Sequence, residues 1–268
     1  MTGVLFLPSP GNSAFVACCV SADVPFVVSF VGAGGKTSTL FWLAQVLAAG
    51  GQRVLVTTTT RMFRPEPGCG ATLLIEPERA QRLAALRALP SASGIVALFS
   101  NFDATEGKVV GCAPDEIDEL KSMAVADMIL VEADGARHCA LKAPAEHEPC
   151  IPHCSNTVIA LSGAAPLGCP ANPANIHRWR QFAAITGLSA GDRISEKALG
   201  CLIEHPDGMF KNTPPQASRH WVVNTRGALD ASVPSMLGLL AQRHKGLDGL
   251  WIGDMLQSNP LSHAWVRR

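Results

Sequence analysis

FVVSFVGAGGKT, at residues 26–37, places an apolar segment, a glycine-rich turn and a lysine–threonine pair in direct succession. The apolar segment, Phe26 to Val31, has the length and the β-branched content of a buried strand. Leu40, Leu43 and Leu47 then recur at helical spacing, so the turn connects a strand to a helix. A glycine-rich turn in this position predicts an α/β fold with a phosphate-binding loop.

The glycine-rich turn supplies the groups that a nucleoside triphosphate requires. Its three glycines allow backbone N–H groups to curl around phosphate oxygens, and the new helix directs the positive end of its dipole at the same anion. Lys36 can reach the β- and γ-phosphates, and the Thr37 hydroxyl can bind Mg²⁺. The predicted nucleotide-binding residues are Gly32, Ala33, Gly34, Gly35, Lys36, Thr37 and Ser38.

The turn departs from the complete P-loop pattern at Phe30, because that pattern has a glycine six positions before the lysine. The remaining Gly-x-x-Gly-Lys-Thr form resembles the loop of the amide-forming ligases of the Mur type. A dinucleotide-binding fingerprint fits worse, since its third glycine would fall on Thr37 and no acid follows the second strand to hold a ribose. The alternative interpretation is a glycine-rich turn that binds no ligand and is followed by a lysine only by chance.

A second apolar strand, Met128 to Val131, is followed by the acids that a P-loop protein needs. P-loop nucleotide hydrolases hold Mg²⁺ with an acid at the end of a strand near the loop. Glu132 is therefore the predicted Mg²⁺ ligand, and Asp134 is a second candidate for the metal or for positioning the attacking water. Together with Lys36, these two carboxylates make up the predicted catalytic set.

Four consecutive threonines, residues 57–60, end the strand that begins at Arg53. Ligands of open α/β sheets bind at the C-terminal edge of the strands, where these hydroxyls lie. The predicted metal ligands are Thr37, Glu132 and Thr58. Arg61 is a candidate for balancing charge in the transition state. The β propensity of threonine accounts for the same run without a function.

Strand and helix patterns alternate along most of the chain, which predicts a mainly parallel sheet with helices on both faces. Residues 1–24 are interpreted as a loosely ordered lead-in segment with a short strand at Ala14 to Val20. Residues 25–268 are expected to form one P-loop NTPase-like domain. Within this domain, the segment near residues 175–206 has a helical pattern and could form a small inserted lobe.

The composition excludes several classes of partner. The 268 residues carry 22 Lys+Arg and 22 Asp+Glu, so the formal net charge is +0 and no basic field attracts nucleic acid. Charged residues make up 16% and apolar residues 47%, which excludes a disordered chain. No apolar run reaches the roughly 18 residues of a membrane span. The nine cysteines, an odd number without regular spacing, favour free thiols in the cytoplasm.

Several short motifs together resemble the YqeC-type family, which is described as a family of accessory proteins of selenium-dependent molybdenum hydroxylases. The segments that carry the resemblance are residues 29–37, 56–60, 131–136, 141–149 and 176–178. The match is collinear from about Phe26 to the C-terminus, and its motif from Glu132 to Pro149 is much more specific than the loop alone. The resemblance implies a cytoplasmic nucleotide-binding protein that uses ATP or GTP with Mg²⁺. It also implies molybdenum cofactor or an apo-hydroxylase as partner during maturation of the molybdenum enzyme.

The stretch from Val223 to Asp230 bears on the choice of nucleotide. Members of the resembled family often carry an Asn-Lys-x-Asp-like element here, which is the arrangement that reads guanine in GTPases. This chain keeps Asn224, lacks the lysine and has Asp230 displaced. The sequence therefore favours ATP over GTP.

The loop after the predicted Mg²⁺ acid carries polar residues of the family motif and is placed to meet a phosphoryl acceptor or a client protein. The predicted substrate or client residues are Lys142, Glu146, His147, Glu148, His177 and Arg178. The alternative interpretation is that the loop is solvated and held in shape by its prolines. In that case His177 and Arg178 only begin a helix.

Histidines and cysteines of the same loop allow two further interpretations. His147, Cys150, His153 and Cys154 lie within eight residues and are of types that bind Zn²⁺. Nearby prolines disfavour compact ligation, so free thiols and loop histidines are the expected state. Cys139 and Cys150 are also candidates for carrying a persulfide or selenium, but no basic cluster beside them favours a lowered thiol pKa.

Three functions are compatible with these motifs. The leading hypothesis is an accessory protein that hydrolyses ATP or GTP to drive cofactor or selenium insertion. The second is a small-molecule kinase or ligase of cofactor metabolism, in which the loop after Glu132 holds the acceptor. The third is a nucleotide-gated binding protein that has no meaningful turnover.

Overall fold

The strand that precedes the glycine-rich turn lies inside a large sheet. A computed structural model describes residues 4–8, 11–20, 25–89, 94–227, 230 and 232–267. The strands of this part of the chain, in chain order, are β1 (Val4–Pro8), β2 (Phe26–Gly32), β3 (Arg53–Thr58), β4 (Arg61–Phe63), β5 (Ala71–Ile75), β6 (Gly94–Phe99), β7 (Asn101–Asp103), β8 (Lys108–Val110), β9 (Met128–Glu132), β10 (Leu141–Lys142), β11 (Thr157–Gly163), β12 (Ile176–His177), β13 (Ser218–Asn224), β14 (Gly249–Gly253) and β15 (Leu261–Arg267).

Ten of these strands form the main sheet, in the order β1-β15-β14-β13-β11-β2-β9-β3-β6-β5. The neighbours from β14 to β5 are all parallel, whereas β15 and β1 extend one edge in antiparallel pairing. The strand before the loop, β2, therefore lies directly beside β9, the strand that ends in Glu132. This arrangement confirms the prediction of a mainly parallel, P-loop NTPase-like α/β fold.

Helices cover both faces of the main sheet, as predicted. They are α1 (Gly11–Cys18), α2 (Lys36–Ala49), α3 (Arg79–Ala88), α4 (Pro114–Ser122), α5 (Trp179–Thr186), α6 (Glu196–Glu204) and α7 (Ser232–Arg243). Alternate residues of β2 point to opposite faces, so Phe30 packs with α1 and α2, while Val27 and Val31 pack with the opposite layer. Among the helices that the structure describes, none combines the length and the apolar character needed to cross a bilayer.

The prediction of a strand at Ala14 to Val20 is wrong, because this run lies largely in helix α1. Phe15 and Cys19, about one helical turn apart, are both fully buried, and the Phe15 ring meets Trp251 edge-on at 5.2 Å. A short apolar run does not distinguish a strand from a buried helix, and here packing against β14 decides. The lead-in segment also supplies β1, which pairs with β15 at the edge of the main sheet.

The segment near residues 175–206 contains two helices, α5 and α6. Phe182 of α5 and Leu199 of α6 are fully buried in the same apolar cluster as Trp221 of β13. Their burial against a central strand makes these helices part of the layer that covers one face of the sheet.

Two small sheets lie beside the main one. Strands β4, β8 and β7 form an antiparallel sheet, and β10 pairs with β12 in parallel. The first follows the end of β3, and the second joins the segment after β9 to the segment before α5. Both therefore extend the C-terminal edge of the main sheet, where ligands of open α/β sheets bind.

Candidate functional site

The glycine-rich turn is pressed against β11 and β13. Gly32 has a φ of +92°, and a Cβ at this position would lie 2.3 Å from the Leu161 carbonyl oxygen, so only glycine fits. The Ala33 N–H donates to that same oxygen at 2.9 Å. Asn224, buried at the end of β13, donates its side-chain amide to the Gly34 carbonyl at 2.8 Å. Two neighbouring strands therefore hold the loop in one shape.

Lys36, the first residue of α2, folds over the loop and meets both acids that follow β9. Its Nζ donates to the Gly32 carbonyl at 2.8 Å, and it lies 3.2 Å from Asp134 Oδ1 and 3.7 Å from Glu132 Oε1. Burial by itself lowers the pKa of the Lys36 ammonium, but the charges of Asp134 and Glu132 more than offset this effect and raise that pKa above its ordinary value. The lysine is therefore charged and surrounded by oxygens that a phosphate can replace.

Glu132 and Thr37 form a second contact at the start of α2. The Thr37 hydroxyl donates to Glu132 Oε2 at 2.8 Å. Burial raises the pKa of the Glu132 carboxyl above its ordinary value, and the Lys36 charge and the Thr37 hydrogen bond offset only part of that increase. A buried carboxyl with a raised pKa beside a glycine-rich loop and a buried lysine is typical of a functional site.

Asp134 connects the loop to the segment that follows β9. Its Oδ2 accepts the Gly32 N–H at 2.9 Å and lies 2.9 Å from the Lys142 ammonium. Its Oδ1 lies 3.2 Å from the Lys36 ammonium, and this contact is one of those that raise the pKa of Lys36. Asp134 therefore holds Lys36, the loop backbone and Lys142 together from behind the cleft.

The threonines at the end of β3 have different surroundings. Thr57 donates to the Leu98 carbonyl at 2.7 Å and Thr58 to the Glu132 carbonyl at 2.6 Å, and both side chains are fully buried. These hydroxyls tie β3 to its two neighbours in the sheet. Thr60 is the threonine of this run that lines the cleft described below. Thr58 is fully buried and does not line this cleft, so a Mg²⁺ held in the cleft would not contact it directly.

Lys142, Glu148 and Arg178 continue the charge network that begins at the loop. The Lys142 ammonium contacts Asp134 at 2.9 Å and Glu148 Oε2 at 3.0 Å, and Arg178 Nη2 donates to Glu148 Oε1 at 2.8 Å. The resulting order is Lys36, Asp134, Lys142, Glu148 and Arg178, with alternating signs. The pairing of β10 with β12 brings Lys142 beside His177 and thereby aligns Lys142 with Arg178. Two of the predicted client residues, Lys142 and Glu148, are thus buried partners of each other.

A cleft of about 910 Å³ opens above the loop and collects most of the predicted residues. The predicted residues that line it are Gly34, Gly35, Lys36, Thr37, Ser38, Glu132, His147, Glu148, His177 and Arg178. Asp134 and Lys142 lie behind its wall, where they support Lys36 and Glu148. Glu146 is exposed and does not line the cleft, and its backbone carbonyl accepts a hydrogen bond from Lys211.

A sequence profile of the YqeC protein family matches residues 28–180, which contain the loop, both acids and the whole charge network. The chain belongs to the YqeC family. Over 254 residues, which are 95% of this chain and 97% of the relative, it is 40% identical to the Escherichia coli K12 protein YqeC, itself described as uncharacterized. No solved structure matches the chain significantly. The resemblance stated from the motifs is confirmed.

The cleft of this YqeC-family protein also contains residues that the sequence analysis did not select. Phe63, Lys108, Arg137, His138 and Arg226 line it. Phe63 and Lys108 come from strands of three residues, which are too short for a periodic pattern to reveal. Of the six non-glycine residues with positive φ in the described part of the chain, four line this cleft: Arg137, His138, Arg178 and Arg226. Such backbone conformations cluster at functional sites.

The cysteines and histidines of this YqeC-family protein form no metal cluster in the described part of the chain. All nine cysteines are free thiols. Burial, followed by the charge of Glu148, raises the pKa of the Cys150 thiol. Burial, followed by the charges of Lys142 and Arg178, lowers the pKa of His177 to about 4, so this histidine is neutral at pH 7.

Proposed function

We propose that this YqeC-family protein binds a nucleoside triphosphate with Mg²⁺ at the loop between β2 and α2 and hydrolyses it. The observation that carries the proposal is the convergence of Lys36 and Thr37 with the carboxylates of Glu132 and Asp134 in one buried site. A phosphoryl-transfer site requires a cation for the phosphates, oxygen ligands for Mg²⁺ and an acceptor for the attacking water. These four residues supply all three.

Each side chain has a role that follows from its contacts. Lys36 would exchange the Gly32 carbonyl for phosphate oxygens, because a hydrogen bond between two charged groups is stronger than one to a carbonyl. Glu132, whose carboxylate lines the cleft beside Thr37, would hold Mg²⁺ and accept a hydrogen bond from the attacking water. Asp134, buried behind the cleft wall, would hold the Lys36 ammonium in place through Oδ1, which lies 3.2 Å from Nζ.

The donor set at the start of α2 fits Mg²⁺. This ion prefers hard oxygen ligands, and Thr37 Oγ1 and Glu132 Oε2 lie 2.8 Å apart. When bound, Mg²⁺ supplies positive charge that neutralises the phosphates during transfer of the terminal phosphoryl group.

The cellular role that we propose is the one that the motifs imply. The nucleotide would drive a step in the maturation of a selenium-dependent molybdenum hydroxylase, with molybdenum cofactor or the apo-hydroxylase as partner. Free thiols throughout the chain support a reducing compartment, and we propose the cytoplasm. ATP is the favoured nucleotide, because Asn224 is committed to Gly34 and to the Met255 N–H and no lysine follows it.

Three variants test the roles of the site residues. Lys36→Ala should weaken binding of an ATP analogue by roughly 2–5 kcal/mol, because it removes one partner of a desolvated charge pair. Glu132→Gln should leave binding largely intact and lower turnover at least about tenfold, which equals 1.4 kcal/mol of barrier. Comparing the turnover of Asp134→Asn with that of Glu132→Gln shows which of the two acids contributes more to hydrolysis. Arg243→Ala, at an exposed ion pair on α7 outside the cleft, is the control for loss of a charge.

The outcomes separate the three candidate functions. Turnover of ATP by the protein alone supports hydrolysis, whereas turnover that requires molybdopterin nucleotide and modifies it supports a kinase or ligase. Tight binding without turnover supports a nucleotide-gated binding protein. Binding that is unchanged in Lys36→Ala would contradict a nucleotide site at this loop altogether.

A further inference from the structure

The cleft extends well beyond the part that a nucleotide would occupy. Its lining runs from Asn224 at the end of β13, past the loop after β2, to Thr60 and Phe63 beyond β3. Across the sheet these strands have the order β13, β11, β2, β9 and β3. Because neighbouring strands lie about 4.8 Å apart, the cleft spans about 19 Å along this edge.

The position of the two acids fixes the direction in which a nucleotide would lie. Glu132 and Asp134 follow β9, on one side of the loop. The lysine and the metal of a P-loop act on the β- and γ-phosphates, so the terminal phosphate belongs on the β9 side. The nucleoside then extends over β11 and β13, where Ala164, Ala165 and Thr225 line the cleft. The nucleotide does not occupy the other half of the cleft, which lies beyond β9 and β3 and faces the terminal phosphate.

This open half, which we call the acceptor half, carries positive charge and an exposed aromatic pair. Six Lys or Arg side chains line the whole cleft against two carboxylates within the described part of the chain, although the chain as a whole has a net charge of +0. In the acceptor half, Arg61 and Lys108 are already paired with Glu106. Arg137 has no ion pair in the described part of the chain, so its guanidinium can bind an anion.

The aromatic pair consists of Phe63 and His138, whose rings stack at 5.3 Å with an interplanar angle of 30°. Phe63 is 51% exposed and is the one aromatic residue among the exposed large apolar residues of the described part of the chain. Lys108 Nζ lies 5.6 Å from the Phe63 ring centroid. His138 and Arg137 are adjacent in sequence, and both have left-handed backbone conformations, with φ of 61° and 46°. The turn that carries the guanidinium therefore also carries one member of the stack.

We propose that the acceptor half binds a second substrate that carries both a planar aromatic ring and a phosphate. The ring stacks on Phe63 and His138, and the phosphate binds Arg137. Exposed aromatic side chains bind planar rings by stacking, and arginine binds phosphate through paired hydrogen bonds. The inference rests on the proposed function in one respect, because the nucleotide site determines which half of the cleft stays open.

Flavin mononucleotide is a suitable probe, because it combines a planar ring with a phosphate. Riboflavin has the ring without the phosphate, and ribose 5-phosphate has a phosphate without the ring. Binding of each is measured by isothermal titration calorimetry on the full chain, with the loop saturated by Mg²⁺ and a non-hydrolysable ATP analogue. Flavin mononucleotide should bind at least about tenfold more tightly than either control, because each control loses one of the two contacts.

Variants of the acceptor half and matched controls complete the test. Arg137→Ala should weaken binding of flavin mononucleotide about tenfold or more but leave riboflavin unchanged, because only the phosphate contact is lost. Phe63→Ala should weaken both ring-containing probes about fivefold or more, and Phe63→Tyr should restore them. Arg243→Ala and Leu256→Ala remove an exposed charge and an exposed apolar side chain elsewhere and should have no effect.

The readouts distinguish failure of this inference from failure of the proposed function. If the ATP analogue does not bind the wild-type protein, the nucleotide site itself is refuted. If the analogue binds but flavin mononucleotide binds no better than riboflavin and ribose 5-phosphate, the acceptor half is refuted. Binding that is equal in wild type, Arg137→Ala and Phe63→Ala would also refute it, because the probe would then be bound elsewhere.

Discussion

Glu148→Gln should reveal how strongly the buried charge network stabilises the fold. The Glu148 side chain is 9% exposed and contacts Lys142 and Arg178. Burial by itself raises the pKa of its carboxyl, but hydrogen bonds from Arg178 and the charge of Lys142 lower that pKa from 4.5 to about 2. One unit of pKa equals about 1.4 kcal/mol, so the ionised carboxylate contributes about 3 kcal/mol to the free energy of unfolding.

The pH dependence of this contribution has a definite sign. Because folding lowers the pKa of Glu148, the stabilisation is fully present above pH 4.5 and is lost as the pH falls from 4.5 towards about 2. At pH 7 the Glu148→Gln variant should be less stable than wild type by about 3 kcal/mol, or about 6–12 °C in Tm. By about pH 3 the difference should shrink to about half.

Urea unfolding of both proteins at pH 7, 5 and 3, followed by circular dichroism, measures this difference. Glu146→Gln is the matched control, because it removes a charge from the same loop at an exposed position. Its free energy of unfolding should stay within about 0.5 kcal/mol of wild type. A Glu148→Gln variant that is as stable as wild type at pH 7 would refute the reasoning. A difference that does not change between pH 7 and pH 3 would refute it as well.

Two further predictions concern β13 and the choice of nucleotide. Asn224→Ala should lower the free energy of unfolding by about 1–3 kcal/mol, because it leaves the buried Met255 N–H without its acceptor. It should also weaken nucleotide binding, because the Gly34 carbonyl loses the side-chain amide that donates to it. If the folded variant binds nucleotide as tightly as wild type, Asn224 does not have this role. In competition against a labelled ATP analogue, ATP should bind at least as well as GTP. A strong preference for GTP would show that another loop reads the base.

The loop and its two acids could be predicted from the sequence, because each lies in one continuous segment. Phe26 to Val31 has the pattern of a buried strand, and the glycines that follow predict the turn into α2 that the structure contains. Met128 to Val131 is likewise a clear buried strand. The pairing of β2 with β9 then brings Lys36 to the acids, and parallel neighbours in an α/β sheet make this pairing a reasonable expectation.

The rest of the site depends on contacts between segments that are far apart in the chain. Phe63 and His138 stack although 75 positions separate them, and nothing local in either segment specifies the contact. The sequence predicts that Lys142 and Glu148 face a substrate or client. The structure gives both side chains buried partners in Asp134 and Arg178, and Glu148 also lines the cleft. A charged residue in a loop gives no sign from sequence alone whether its partner is a ligand or another side chain.

The charge network also affects how the catalytic variants must be interpreted. Asp134 contacts Lys36, Lys142 and the Gly32 N–H at once, so Asp134→Asn removes a charge that two buried ammonium groups share. Breaking a buried pair in this way costs about 3–5 kcal/mol, because it leaves a charge uncompensated. Glu132, by contrast, contacts Lys36 and Thr37 alone among these groups. A loss of turnover in Asp134→Asn therefore assigns a catalytic role only if the variant unfolds at the same urea concentration as wild type. A loss of turnover in Glu132→Gln assigns a catalytic role to Glu132 with less ambiguity, because Lys36 still has its ion pair with Asp134 in that variant.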